Sequence, residues 1–314
     1  MPLVVSAFIR LPAGKAKHPY VWNYTAWRRA VEVRADYELW CGSPADCMII
    51  RGWRETLKLR TKVIATSLKQ LEHLIASRTN VSIGDVRRAT NGSVWDGIQG
   101  HGCPSAEVLK VWLAKPFLVE ASMALHPEHH QFAWVDAGFN IYRMARRRPP
   151  AAPWLTFSPA AGRLAVRKHP GACHNFLRGT ARRECVLATF MFGSRDAWHV
   201  FVERYAARLR ELLLLPGCAS GSPTGLCAAG GTSLHQAQEP QRMLCSEQDV
   251  MEDVASASPA LVDEFTTADH GGYGWAHAVR VTARCATNQT NILNECYWNA
   301  HGGLHVGPKV MPKV

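Results

Sequence analysis

No run of about 18 consecutive apolar residues occurs in the chain, which excludes a membrane-spanning helix. The opening residues lack a charged leader followed by an apolar core and a cleavage site, and Leu3 to Ile9 already reads as a strand. As written, the chain is expected in the cytoplasm; the Golgi lumen is the expectation if an upstream anchor belongs to a longer parent. The ten cysteines form no Cys-x-x-Cys pair and show no zinc-ligand spacing. His169, Cys173 and His174 lie close in sequence but lack further partners, so no zinc site is expected there. Signatures of zinc fingers, homeodomains and RNA-binding modules are absent, as are internal repeats. The formal charge of +11 is therefore read as a general pull on phosphates, acidic glycans or anionic lipid. It suits peripheral contact with an anionic membrane. A nucleic-acid binder rests on charge alone and is not the favoured reading.

What is present suits a large core. The 314 residues are 47% hydrophobic and include 11 Trp, enough for a single α/β domain over 1–314. Leu3 to Ile9 is the first strand, with Phe8 near its end and Arg10 in the loop that follows. Glu38 to Cys41 and Met48 to Ile50 read as short strands. The spacing of Leu57, Ile64, Leu68, Leu71 and Ile75 predicts a long amphipathic helix over 53–75. Residues 77–104 read as a loop. Pro116 suits the first turn of a helix, where its missing N–H has no partner. Val186 to Gly193 is another apolar strand. Ser194 caps the next helix, whose stripe is Trp198, Phe201, Tyr205, Leu209 and Leu212. Residues 217–241, rich in Gly, Ala, Ser and Pro, read as a low-complexity loop or insertion. Alternating strands and helices indicate a mainly parallel sheet.

The most informative stretch is Gln131-Phe132-Ala133-Trp134-Val135-Asp136-Ala137-Gly138. An apolar run bounded by turn residues is a buried strand, and Asp136 stands where it leaves the sheet. Ligands of open α/β sheets bind at those carboxyl ends. The plainer reading is an Asp that starts a turn.

Four stretches, in order, resemble the HtrL/YibB-like glycosyltransferase family. They are Val4-Val5-Ser6-Ala7-Phe8; Val111-Trp112-Leu113-Ala114-Lys115-Pro116; Phe132 to Gly138; and Phe192-Gly193 with Trp198, followed by Glu247-Gln248. The resemblance reaches about residue 265. It implies a GT-A-like fold: one Rossmann-like domain with a mostly parallel central sheet flanked by helices, binding a nucleotide-sugar. It also implies transfer of the sugar to a glycan or other hydroxyl acceptor, assisted by Mn²⁺ or Mg²⁺. Asp136 matches the first carboxylate of the family's Asp-x-Asp, but Gly138 replaces the second. One carboxylate with phosphate oxygens and water still suffices for such an ion. Phe8, Arg10, Lys115 and Asp136 are the donor-side candidates. A C-terminal His completes the metal site in such enzymes, with His301 the first candidate and His270 the second. Inverting transfer needs a carboxylate base. Glu247 and Asp249 are its candidates, with Gln248 between them; Ser246-x-x-Asp249 is also a capping box. The missing second Asp motivates one alternative, a non-catalytic glycan- or nucleotide-binding member of the same fold.

Overall fold

A computed structural model describes residues 2–11, 35–83, 106–136, 162–175, 180–213 and 247–266. The insertion at 217–241, Gly138, His270 and His301 lie outside them. The described strands are β1 (Leu3–Phe8), β2 (Asp36–Cys41), β3 (Thr61–Ala65), β4 (Gln131–Val135), β5 (Leu164–Asn175), β6 (Thr180–Ser194) and β7 (Val262–Thr266). The described helices are α1 (Pro44–Thr56), α2 (Leu68–Thr79), α3 (Ala106–Leu113), α4 (Lys115–Leu125), α5 (Arg195–Leu213) and α6 (Glu247–Ala257).

All seven strands form one sheet in the order β3-β2-β1-β4-β6-β5-β7. Every pairing is parallel except those made by β6 with β4 and β5. The expected mixed α/β architecture with a mostly parallel sheet is present. Both faces are covered, so the strands read as continuous apolar runs rather than alternating ones. Leu3, Val5, Phe132 and Trp134 pack in the core beneath α2 to α6, whereas Val4, Phe8, Ala133 and Val135 pack on the α1 side. The chain steps from β1 to β2 and β3 on one side, then returns to place β4 on the other side of β1. This switch point lies between β1 and β4, and the crevice outside its carboxyl ends is where such sheets take ligands.

Several local expectations hold. Pro116 sits in the first turn of α4. The Ser194 hydroxyl accepts a hydrogen bond from the Ala197 N–H at 3.2 Å, capping α5, and Trp198, Phe201, Tyr205, Leu209 and Leu212 are all buried. The stretch between β2 and α2 corrects the sequence reading. Met48 to Ile50 is helical, and the helix expected over 53–75 is instead the end of α1, strand β3 and helix α2. Ser43 and Pro44 start α1 earlier. Lys58 takes a left-handed backbone with φ of 55° and breaks the helix. The β-branched run around Val63 and Ile64 then pairs with β2. Residues 77–79 belong to α2, which ends on left-handed Asn80. A disulfide between Cys41 and Cys47, which the spacing did not suggest, ties the end of β2 to the first turn of α1.

Candidate functional site

Side chains alternate along a strand, so Trp134 and Asp136 leave β4 on the same face, toward α4. The Trp134 indole N–H donates to Asp136 Oδ1 at 2.7 Å. Beneath them lies Lys115, the first residue of α4 and only 4% exposed. Its ammonium is 2.9 Å from Asp136 Oδ1 and donates to Asp136 Oδ2 at 3.0 Å. It also donates to Glu247 Oε1 at 2.6 Å and to the Ala188 carbonyl at 3.4 Å. The ammonium lies 5.9 Å from the centre of the Trp134 ring. Three residues from three of the family-like stretches thus meet at one point, although 132 positions separate Lys115 from Glu247.

Burial alone would push the Lys115 ammonium below its ordinary value. The Asp136 and Glu247 carboxylates more than offset this, and the net shift is upward. Lys115 is therefore charged at neutral pH. The floor is Tyr205 of α5, whose hydroxyl donates to the Leu113 carbonyl at 3.4 Å. Burial, and then the nearby Glu247 charge, push its phenol well above the ordinary value, so it stays protonated.

The other donor-side candidates share this edge of the sheet but not this cluster. Phe8 packs in the α1-side core. Arg10 follows it with its side chain 46% exposed and its guanidinium 2.6 Å from Asp46 in the first turn of α1. Arg10 and Asp136 thus follow adjacent strands at the same carboxyl edge. On α6, Glu247 and Asp249 are buried and Gln248 is half-buried in the first turn, where carboxylates are favoured by the helix dipole.

Asp136, 23% exposed, has the chemistry to give a divalent cation one ligand. A carboxylate offers about four lone-pair positions; Trp134 and Lys115 use two on Oδ1, and Lys115 uses one on Oδ2. One direction on Oδ2 stays open among the described contacts.

Sequence reasoning missed the acidity of α6 as a buried feature. Glu252 accepts the Val186 N–H of β6 at 2.9 Å, and Asp253 pairs with Arg208 of α5 at 2.9 Å. The sequence marks Glu247 and Asp249 as base or capping candidates but gives no sign of Glu252 and Asp253, whose partners lie too far along the chain to be seen. It also missed a His-Glu-His group, His126, Glu128 and His129, in the turn before β4.

No family model and no curated protein matches the chain. Among the solved structures that match the chain at low identity are two glycosyltransferases. Mouse xyloside xylosyltransferase 1, apo form, matches at 11% identity over 83% of each chain, with a TM-score of 0.40. A glycosyltransferase involved in the glycosylation of the major capsid of PBCV-1 matches at 10% identity over 90% of each chain, with a TM-score of 0.33.

Proposed function

We propose that this chain is a glycosyltransferase of the HtrL/YibB-like, GT-A type, moving a sugar from a nucleotide-sugar donor to a glycan or other hydroxyl acceptor. One observation carries the reading. The Trp-x-x-Lys segment, the strand ending in Asp136 and the Glu-Gln segment, which define the family resemblance, are joined through the Lys115 ammonium at the carboxyl edge of the switch point. Asp136 is the member of the cluster with solvent access, so it is the residue that meets the donor diphosphate. A divalent ion bound there would offset the phosphate charge and help the nucleotide leave. Lys115 and Glu247 are too buried to meet a substrate and act as positioning residues for the Asp136 carboxylate. Gln248, half-buried in the same turn, remains the acceptor-side candidate, whereas Asp249 is as buried as Lys115. Arg10 contributes a cation at the same edge.

A non-catalytic reading has its own support, since both oxygens of Asp136 already accept hydrogen bonds from protein donors. The two readings part on turnover. Purified protein with Mn²⁺ and a panel of nucleotide-sugars should release the nucleoside diphosphate slowly from one donor without any acceptor. Saturable donor binding with no release across the panel would favour the non-catalytic reading.

A further inference from the structure

The opposite edge of the sheet, where β2 and β4 begin, carries a second cluster that the proposed transfer reaction does not use. His126, Glu128 and His129 occupy the turn between α4 and β4, and one ligand atom from each lies within 4.8 Å of the others. Glu128 Oε1 is 3.2 Å from His126 Nδ1 and 3.7 Å from His129 Nε2. Asp36, at the start of β2, brings Oδ2 to 3.6 Å from the same His129 nitrogen. Ligands held at about 2.0–2.1 Å by a tetrahedral zinc ion stand roughly 3.4 Å apart. The spacing therefore needs only small side-chain adjustments to close on an ion.

A second observation concerns the orientation of His126. Its Nε2 lies 2.6 Å from Oε2 of the fully buried Glu38. Glu38 is held in turn by the Ser122 hydroxyl, which accepts the Trp40 indole N–H at 3.2 Å. A buried carboxylate on Nε2 orients the ring, the arrangement that supports metal-binding histidines. Nδ1 is then turned toward the Glu128 carboxylate at 3.2 Å, the side on which an ion would sit.

The turn itself is built in advance. The Arg195 guanidinium donates to the carbonyls of Met123 at 2.8 Å, His126 at 2.7 Å and His129 at 3.0 Å. The Arg195 N–H donates to the His130 carbonyl at 2.9 Å. The other cations nearby are Lys62, 3.5 Å from His126 Nε2 and 3.8 Å from Glu38, and Arg60, 3.8 Å from Asp36. Both are long, partly exposed side chains that can move aside.

We propose that His126, Glu128 and His129, with Asp36 or a water as the fourth ligand, form a structural zinc site that fastens the start of β4. Two imidazoles and a carboxylate suit zinc rather than Mg²⁺ or Ca²⁺. The five residues of β4, about 17 Å of strand, separate this site from Asp136, so it is distinct from the proposed donor site and does not depend on that reading.

The test uses the full chain, free of any polyhistidine tag and stripped with chelator. Titration with Zn²⁺ by calorimetry should give one tight site and raise the melting temperature. Co²⁺ should give the intense visible bands of a tetrahedral ion. Glu38→Gln, which touches no metal, should weaken Zn²⁺ binding about 10- to 100-fold, and His129→Gln should remove the site. The wild-type Co²⁺ spectrum stands even where a variant folds poorly. Absence of a stoichiometric tight site would overturn the proposal. So would Zn²⁺ affinity unchanged in both variants, or a His126 ring protonated on both nitrogens in excess Zn²⁺.

Discussion

A buried ammonium between two carboxylates behaves differently from a surface lysine. Exposed ion pairs contribute little, but removing one partner of a buried pair leaves the others without compensation and costs about 3–5 kcal/mol. Lys115→Met, which keeps the length of the side chain, is expected to lower unfolding free energy by that amount in urea titrations. Adding Glu247→Gln should restore part of the loss, giving a favourable coupling in a double-mutant cycle. A Lys115→Met protein within about 0.5 kcal/mol of the parent would mean that the contact is not formed. The sign of the pH dependence follows from the upward shift of Lys115. A raised lysine contributes stability that is fully present below its unfolded value of about 10.4 and is lost as pH rises through the higher folded value. The difference between parent and Lys115→Met should therefore stay flat from about pH 7 to 9 and shrink only above roughly 10.4. A difference that fades below pH 9 would contradict the assignment.

At the scale of elements, what the sequence made legible follows the strength of local patterns. Strands β1, β4 and β6 are apolar runs, α5 has a full stripe with a serine cap, and α4 starts at a proline. The stretch from α1 to α2 was misread because Leu57, Ile64, Leu68 and Leu71 keep helical spacing across a break that only tertiary structure explains. Arg54 secures that break. It is fully buried, stacks on Tyr37 at 4.4 Å and donates to the carbonyls of Ala35 at 2.8 Å and Arg60 at 3.1 Å. Burial pushes its guanidinium down to about 10, with Tyr37 and then Asp36 opposing the shift. Nothing in the local sequence distinguishes this arginine from a surface one. Arg54→Met strands the Ala35 carbonyl, while the Arg60 carbonyl keeps the Tyr37 N–H at 3.3 Å; one stranded buried carbonyl costs about 1–3 kcal/mol, so a loss of at least about 1 kcal/mol is expected in thermal or urea unfolding. A neutral substitution would show that the α1–β3 connection is held by other contacts.

For the whole molecule, the sheet order determines which residues meet. The place of Asp136 at the carboxyl end of β4 was legible because an apolar run ended on it. Its contact with Lys115, and through Lys115 its link to Glu247, was not, because no periodicity reports an encounter between positions so far apart; that required β4 beside β1, α4 beneath β4 and α6 against β6. In the proposals made above, the two edges of this mostly parallel sheet would take different tasks, the carboxyl edge a donor diphosphate and the amino edge a zinc ion. The account rests most heavily on Asp136. Asp136→Asn keeps the side-chain shape, an acceptor oxygen and the local turn bonds, but removes the charge. The decisive measurement is calorimetry of a nucleoside diphosphate with Mn²⁺ on the parent and on Asp136→Asn, with circular dichroism as the folding control. Loss of metal-dependent binding in a folded Asp136→Asn protein is the predicted result. Unchanged affinity in that folded variant would contradict the assignment of Asp136 to the donor site.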